Sequence, residues 1–148
     1  MTDGPPRPPD DRHAASLLRH DMVTPVNQIL GYADLLIAEA EDQGRAYRAQ
    51  SLRSIRSMGR RALAVIDDAL IRDPSLGRPP DLAALAPGVV GPSAAIVEAC
   101  RALEEASAQA TDRASFLEDL GRVQDAAVIL AEMARRASEG HVLKVNLK

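Results

Sequence analysis

The sequence predicts an all-α protein in which antiparallel helical hairpins form a four-helix bundle. The aromatic content is only 2%, with no Trp, which poorly supplies β-sheet faces and suits helix-on-helix packing. Apolar residues recur at spacings of three and four along most of the chain, which is the helical period. A chain of 148 residues can bury only a modest core, so we expect the helices to share one core.

The first two helices are predicted to form a hairpin over residues 13–73, after a polar, Pro-rich leader over 1–12 that is predicted to be disordered. The first helix covers about 14–42 and is interrupted only by Pro25. Gly44 lies just past it, and a second apolar stripe follows at once. Because the loop between the two stripes is so short, we expect the helices to pack antiparallel.

The second half is predicted to contain another hairpin. Residues 74–91 are predicted to be a linker, because no continuous helix is expected to tolerate so many Pro and Gly residues. Apolar stripes predict a third and a fourth helix within 92–139, with Thr111 or Asp112 as the N-cap of the fourth. The tail over 140–148 alternates apolar and polar residues, which predicts the start of a strand in a following domain.

The two predicted hairpins align with one another, and the shared Val-x-Pro is the one distinctive feature of the alignment. A degenerate internal duplication explains it, and so does chance similarity between two Ala/Leu-rich hairpins; both hypotheses stay open. The gapless part of the alignment places Met22, Val23, Pro25, Ile29 and Leu36 on Val89, Val90, Pro92, Ile96 and Leu103. After a shorter loop, it places Leu52, Ile55, Met58 and Ala62 on Leu117, Leu120, Val123 and Ala127.

Charge and cysteine content limit the partners and the compartment. A net charge of -3 gives no basic footprint, so neither nucleic acid nor an anionic membrane is expected to bind. Cys100 is the only cysteine, which excludes an internal disulfide and a Cys-based zinc site and fits a reducing cytoplasm. No apolar run approaches the roughly 20 residues that span a bilayer. His13 and His141 have no paired ligands, so no metal site is predicted.

The motif that carries chemistry begins at His20. The segment reads His-Asp-Met-Val-Thr-Pro-Val-Asn-Gln-Ile-Leu-Gly-Tyr. It resembles the H-box of sensor histidine kinases, whose usual form is His-Asp/Glu-Leu-x-x-Pro-Leu-x-x-Ile-x-Gly-Tyr/Phe. The resemblance implies a dimerisation and histidine phosphotransfer domain, called DHp or HisKA. It covers the first helix strongly and the second by architecture only.

The residues themselves agree with this interpretation. His20 lies two positions from both Leu18 and Met22, so we expect it to point away from the core. A neutral imidazole in solvent can act as a nucleophile at about pH 7, and the adjacent Asp21 can orient the ring and stabilise positive charge as an N–P bond forms. Pro25 is expected to bend the helix and to leave nearby carbonyls without a partner. The polar face that we expect around His20 also contains Thr24, Asn27, Gly31 and Asp34.

The resemblance implies a role for each polar residue of the motif. His20 would be the phosphoacceptor, Asp21 its acid/base neighbour, and Thr24 the residue that positions water when such proteins dephosphorylate a response regulator. The implied partners are a response-regulator receiver domain and an ATP-binding kinase domain. The chain has no glycine-rich nucleotide loop, so it is expected to bind no cofactor itself and to meet ATP and Mg only through a separate catalytic domain.

The second half departs from the family. Pro87 aligns with His20 and Gly88 with Asp21, so one active site per chain is expected. The second helix carries a basic stripe, which is either a receiver-docking surface or an ordinary solvated face. That stripe consists of Arg53, Arg56 and Arg60, with Arg61 beside it.

Three functions follow as hypotheses. The leading one is a phosphorelay module, in which His20 accepts a phosphoryl group from a kinase domain or a receiver aspartate and transfers it to a response regulator. The alternatives are a non-catalytic dimerisation and signal-transmitting domain, and a response-regulator phosphatase that uses Thr24. A homodimer formed through exposed apolar residues such as Leu35 and Ile37 is a further expectation.

Overall fold

Four helices form a single bundle within one chain. A computed structural model describes residues 11–71 and 79–146. Helix α1 packs against α2 and α4, and α3 packs against the same two helices, so the four lie in a ring. The predicted all-α four-helix bundle is therefore confirmed. The helices are α1 (Asp11–Asp42), α2 (Ala46–Leu70), α3 (Leu85–Ala106) and α4 (Arg113–Asn146), with a short 3-10 helix at Leu82–Ala84.

The turn between α1 and α2 explains why they pack antiparallel. Gly44 has a φ of 68°, the left-handed conformation that favours glycine after the end of a helix. The N–H of Arg45 donates to the carbonyl of Ala40 at 2.8 Å, and the N–H of Gly44 donates to that of Glu41 at 3.1 Å. These two bonds satisfy the last carbonyls of α1 and reverse the chain direction.

The predicted linker over 74–91 is wrong in its second part, because α3 begins at Leu85. Pro87 lies in the first turn of α3, where the backbone N–H groups have no partner within the helix, so a proline removes nothing there. Pro92 lies inside the helix and does remove a hydrogen bond. The helix persists because it buries an apolar stripe against its neighbours, and such packing supplies most helical stability. Residues 74–78 lie outside the described residues.

Both ends of the chain also differ from the predictions. Helix α1 begins at Asp11, so the last two residues of the predicted leader are helical, while residues 1–10 lie outside the described range. Helix α4 continues to Asn146, so the predicted strand in the tail is wrong. Extending an existing helix fixes one residue per hydrogen bond, which costs less than starting a new element.

The burial pattern repeats between the two hairpins. Six buried residues of α1 each lie 67 positions before a buried residue, which lies in α3 in five cases and is its C-cap, Ser107, in the sixth. Six buried residues of α2 likewise lie 68 positions before a buried residue of α4. Our alignment of α2 with α4, at a spacing of 65, is therefore off by about one helical turn. The first set pairs Met22, Val26, Ile29, Ala33, Leu36 and Ala40 with Val89, Ser93, Ile96, Cys100, Leu103 and Ser107. The second pairs Arg48, Leu52, Ile55, Gly59, Ala62 and Ile66 with Phe116, Leu120, Val123, Ala127, Leu130 and Ala134.

Two surface expectations need correction. Leu35 is 49% exposed, but Ile37 is only 6% exposed. Two residues that are two positions apart point to opposite sides of a helix, so Leu35 and Ile37 cannot both belong to one dimer surface.

The segment Leu82–Ala106 is long and apolar enough, by length and composition alone, to cross a membrane. The expected lack of such a segment is therefore wrong. One such helix is weak evidence of a membrane span, because core helices meet the same description.

Candidate functional site

The outer surface of α1 carries the polar face that the sequence predicts. His20 is exposed, as are Thr24, Asn27, Gly31 and Asp34. Met22 and Ile29 lie on the opposite side of the helix and are fully buried. We call the five exposed residues the His20 face. A side chain at any of these positions can meet a partner without disturbing the core.

Helix α1 continues through Pro25, which is buried. Thr24 directly precedes Pro25, and its hydroxyl donates to the carbonyl oxygen of His20, one turn earlier, at 3.3 Å. Such bonds from a Thr hydroxyl to the preceding turn often accompany a slight bend of a helix. The hydroxyl oxygen keeps its lone pairs, so it can still accept a hydrogen bond from a water molecule beside His20.

His20 and Asp21 are both exposed, and neither side chain has a hydrogen-bond or ion-pair partner within the described ranges. Successive residues point about 100° apart on a helix, so the two side chains diverge from the backbone. The imidazole of His20 is therefore accessible to another molecule from solvent. The role of Asp21 in orienting the ring stays a prediction, because the structure shows no bond between the two groups.

Ion pairs between α1 and α2 flank the His20 face. Arg19 Nε donates to Asp67 Oδ1 at 2.7 Å, directly beside His20. Further along, Arg56 Nη1 donates to Asp34 Oδ1 at 3.1 Å. These pairs hold α2 alongside the face. Sequence reasoning missed Arg19 and Asp67, because 48 positions separate them and no local pattern marks either as a partner.

Two arginines of the basic stripe of α2 form ion pairs within the chain, and the other two do not. Arg53 bonds Glu41 and Arg56 bonds Asp34, so both guanidinium groups are already neutralised within the chain. Arg60 and Arg61 are exposed and have no such partner in the part of the chain that the structure describes. The positive charge available to a partner protein is therefore concentrated at Arg60 and Arg61.

A glycine allows α2 to approach α1 closely behind this surface. A Cβ at Gly59 would lie 3.1 Å from Leu30 Cδ2 and 3.2 Å from Ile29 Cγ2. Both distances are tighter than ordinary van der Waals contact. Ile29 is a core residue two turns after Met22 on the same stripe. The rigid packing of this stripe therefore fixes the position of α2 relative to the His20 face.

The corresponding surface of the second hairpin carries different residues at these positions. At the spacing that matches the buried residues of α1 and α3, Pro87 takes the place of His20 and Gly88 that of Asp21. A Cβ at Gly88 would lie 2.4 Å from Val65 Cγ1, so no larger residue fits there without movement. On α3, the other residues of the His20 face are replaced as follows: Thr24 by Gly91, Asn27 by Ala94, Gly31 by Glu98 and Asp34 by Arg101. On α4, the arginines of the basic stripe are replaced in order, Arg53, Arg56, Arg60 and Arg61 by Gly121, Gln124, Val128 and Ile129.

Cys100 is poorly suited to a second reactive site. Burial raises the pKa of the Cys100 thiol to about 12, with Glu104 contributing in the same direction. A thiol that holds its proton so strongly is a poor nucleophile and a poor metal ligand. Among the side chains that the structure describes, those of residues 12–71 and 79–140, no group of three or more His, Cys, Asp or Glu could hold a metal ion.

Comparison with known proteins gives no further assignment: no protein-family model, curated protein or solved structure matches this chain. The site is therefore described by its own residues. The structure places His20 and Thr24 on one exposed face of α1, with Asp21 adjacent and Arg60 and Arg61 on the neighbouring helix.

Proposed function

We propose that this chain is a histidine phosphotransfer module of a two-component phosphorelay, with His20 as its phosphoacceptor. The observation that carries the proposal is the exposure of the H-box histidine on a polar face. The second hairpin supports it as an internal comparison. It repeats the buried positions of the first, yet Pro87 stands where the first hairpin has His20. The polar set is thus not a requirement of the fold.

Phosphoryl transfer needs one exposed imidazole and a molecule that donates the phosphoryl group. An unprotonated ring nitrogen of His20 attacks phosphorus, and the N–P bond forms while the P–O bond to a receiver aspartate or to ADP breaks. The proton on the other ring nitrogen can leave to Asp21 or to water. In the reverse direction, the phosphoramidate donates its phosphoryl group to a receiver carboxylate. One such site is expected per chain.

The test is acid-labile phosphate on the purified chain. It is incubated with phosphorylated receivers, or with an active histidine kinase domain and ATP. We expect label on the wild type and none on His20→Ala, with folding unchanged because the residue is exposed. The matched control is His13→Ala, which removes another exposed histidine of α1 and should keep the label. Label that persists in His20→Ala would exclude the proposal.

The main alternative is a non-catalytic dimerisation or signal-transmitting domain of a larger regulatory protein. It predicts no label with any donor. It also predicts that His20→Ala is silent in a signalling assay, whereas Ile29→Asp, which places a charge at a fully buried position, abolishes signalling by disrupting the bundle. A strong signalling defect in His20→Ala would argue against this alternative.

A phosphatase role is favoured by one observation, the Thr24 hydroxyl that lies beside His20 and can still accept from water. In that case Thr24→Ala slows dephosphorylation of a phosphorylated receiver, while Thr24→Ser, which keeps the hydroxyl, retains most of the rate. Equal rates for the wild type and both variants would exclude the role.

A further inference from the structure

Arg19 directly precedes the proposed phosphoacceptor in the chain, and none of the functions above uses it. Its Nε donates to Oδ1 of Asp67 on α2 at 2.7 Å, a short bond that is typical of a charged donor and a charged acceptor. The side chains of Arg19 and Asp67 are 35% and 40% exposed. The ion pair therefore lies at the edge of the contact between the two helices, where another group can still reach the guanidinium.

The bond to Asp67 leaves most of the guanidinium available. An arginine has five N–H donors in a rigid planar fork, and Nε supplies only one of them. The Nη1 and Nη2 groups of Arg19 form no hydrogen bond or ion pair with the other residues that the structure describes. The end of the side chain is thus a two-donor fork of the kind that binds phosphate oxygens, and Asp67 fixes its orientation.

His20 lies on the part of the outer face of α1 that borders α2. Asp34 is about four turns further along α1, so it points in nearly the same direction as His20. Asp34 reaches α2, where Arg56 Nη1 donates to its Oδ1 at 3.1 Å. Arg19 reaches α2 as well and adjoins His20 in the chain. A phosphoryl group on the imidazole would therefore extend beside the guanidinium of Arg19.

Several carboxylates belong to the surroundings of His20. Asp21 follows it in α1, and Asp67 and Asp68 follow one another in α2 at the level of Arg19. A phosphoryl group on a side chain adds roughly 1.5 to 2 negative charges at neutral pH. Because like charges repel one another, a cation at this place lowers the free-energy cost of forming the phosphorylated histidine.

The second hairpin has no ion pair at the corresponding place. At the spacings that match the buried residues, Ala86 takes the place of Arg19, and Arg135 takes the place of Asp67. The residue after Ala86 is a proline, so this hairpin has no histidine that such a pair could serve. Packing of a hairpin in this bundle therefore does not require an ion pair at this level.

We propose that Arg19 binds the phosphoryl group of His20 through its Nη1 and Nη2 groups, and that Asp67 positions Arg19 for this contact. The proposal rests on the function proposed above, since it needs a phosphoryl group at His20. During transfer, negative charge is spread over the three outer oxygens of the phosphoryl group, and a fixed guanidinium stabilises that charge. The contact between α1 and α2 thus contributes to the chemistry of the histidine.

Chemical phosphorylation tests Arg19 without any partner protein. Phosphoramidate transfers its phosphoryl group to an imidazole: a new N–P bond forms while the N–P bond of the reagent breaks and ammonia leaves. The chain has three histidines, and a parent variant with His13→Ala and His141→Ala keeps only His20. We expect Arg19→Ala in this parent to react about 5- to 10-fold more slowly at low salt, and Arg19→Lys to recover part of the rate.

Arg56→Ala is the matched control. It removes an equal charge and also breaks an ion pair between α1 and α2, but that pair lies about four turns away from His20. The control should react at the rate of the parent. Circular dichroism should show the same helicity for the parent, Arg19→Ala and Arg56→Ala, because each of these ion pairs is partly exposed.

Asp67→Ala separates positioning from charge. If charge alone mattered, removal of a carboxylate near the acceptor should speed the attack on an anionic reagent. Because Asp67 positions Arg19, we instead expect a reaction about 2- to 5-fold slower, since the guanidinium must then be ordered during each reaction. Asp67→Asn keeps an oxygen that accepts a hydrogen bond from Nε and should react at least as fast as the parent.

NMR of the phosphorylated parent observes the contact directly. Once His20 carries the phosphoryl group, the N–H protons of Nη1 and Nη2 of Arg19 should exchange more slowly with solvent, whereas those of Arg56 should not change. A role of Arg19 in helix packing alone would not produce this difference.

Several results would overturn the proposal. These are equal rates for the parent and Arg19→Ala, an equal loss of rate in Arg56→Ala, a faster reaction of Asp67→Ala, and unchanged Nη signals of Arg19. If phosphoramidate fails to phosphorylate the parent, both this proposal and the proposed function are excluded. If the expected effects appear but no receiver or kinase domain labels His20, the proposed function alone is excluded.

Discussion

Arg48 of α2 binds both carboxylate oxygens of Asp112, with Nη1 2.8 Å from Oδ2 and Nη2 3.1 Å from Oδ1. The guanidinium also lies over the ring of Phe116, 3.8 Å from its centroid. Arg48 belongs to the first hairpin and its two partners to the second. Its side chain is almost completely buried. The two hairpins are therefore joined by a polar clamp at the end of the bundle where the α1–α2 turn lies.

Removal of the clamp should destabilise the bundle. Arg48→Ala removes both hydrogen bonds to the Asp112 carboxylate, which keeps only the longer ion pair with Arg45, and it exposes the Phe116 ring, so we expect the free energy of unfolding to fall by about 2–4 kcal/mol. Denaturation with urea, followed by circular dichroism, measures the change. Arg136→Ala is the control, because that arginine forms an exposed pair within one helix and should cost less than about 0.5 kcal/mol. Similar losses in the two variants would contradict the clamp.

The ion pair between Arg48 and Asp112 predicts how the free energy of unfolding depends on pH. The hydrogen bond from Arg48 holds the pKa of Asp112 below its usual value of 3.8. A carboxyl whose pKa is lowered by folding stabilises the native state above its unfolded pKa, and this contribution is lost as the pH falls through the folded pKa. The stability difference between the wild type and Asp112→Asn should therefore be largest at neutral pH and should shrink below about pH 4.

Urea titrations between pH 7 and pH 2.5, roughly, test this dependence. Asp125→Asn serves as the control, because it removes an equal charge from an exposed residue that has no hydrogen-bond or ion-pair partner in the described ranges. At neutral pH, the free energy of unfolding of Asp125→Asn should differ from that of the wild type much less than the free energy of Asp112→Asn does. If the stability difference between the wild type and Asp112→Asn stays constant down to the lowest pH, the predicted pH dependence is contradicted.

One glycine of α3 and one of α4 should respond in opposite directions to the same substitution. Gly88→Ala places a Cβ 2.4 Å from Val65 Cγ1, so the helices must separate or Val65 must leave its rotamer, at a cost of about 1–3 kcal/mol. Gly121→Ala meets nothing within 4 Å and removes a flexible residue from the interior of α4, which should stabilise by about 0.5–1 kcal/mol. Thermal melts of both variants measure the signs, and a stabilised Gly88→Ala would exclude the close approach.

The pattern of apolar residues was enough to predict the four helices, because stripes such as Met22, Ile29 and Leu36 repeat at the helical period and are buried. It also predicted the exposed His20 face, which lies opposite that stripe. Helix boundaries were less predictable. Pro87 breaks a helix interior but not a first turn, and only the structure shows that α3 begins at Leu85.

Contacts between distant residues were not predictable from one sequence. Arg48 and Asp112 are 64 positions apart, and a buried arginine in α2 is indistinguishable by pattern from its exposed neighbours. Asp112 was predicted as an N-cap, and it does directly precede α4, but its carboxylate binds Arg48. The alignment of α2 with α4 failed for a related reason, because a shift of three residues nearly preserves a helical stripe.

Cys100 should react only when the bundle opens. Burial raises its pKa to about 12 and removes it from solvent, so both the thiolate fraction and access are small at pH 8. We expect labelling by a disulfide reagent to be at least about 100-fold slower in the native state than in urea. The labelling rate is followed by absorbance. A native rate close to the unfolded rate would show that α3 is mobile.

The unpaired arginines of α2 should set the rate of phosphoryl exchange if the proposed function holds. A receiver presents an acidic phosphorylation site, and Arg60 is available to it because no carboxylate within the described ranges neutralises it. We expect Arg60→Ala to slow transfer between His20 and a receiver by about 3- to 10-fold at low salt, and the difference to shrink as salt screens the charge. Arg113→Ala changes the net charge equally at an exposed position at the start of α4, at the end of the bundle far from His20, and should leave the rate unchanged. Equal slowing by both variants would indicate an effect of net charge alone, and no slowing by either would place the receiver elsewhere.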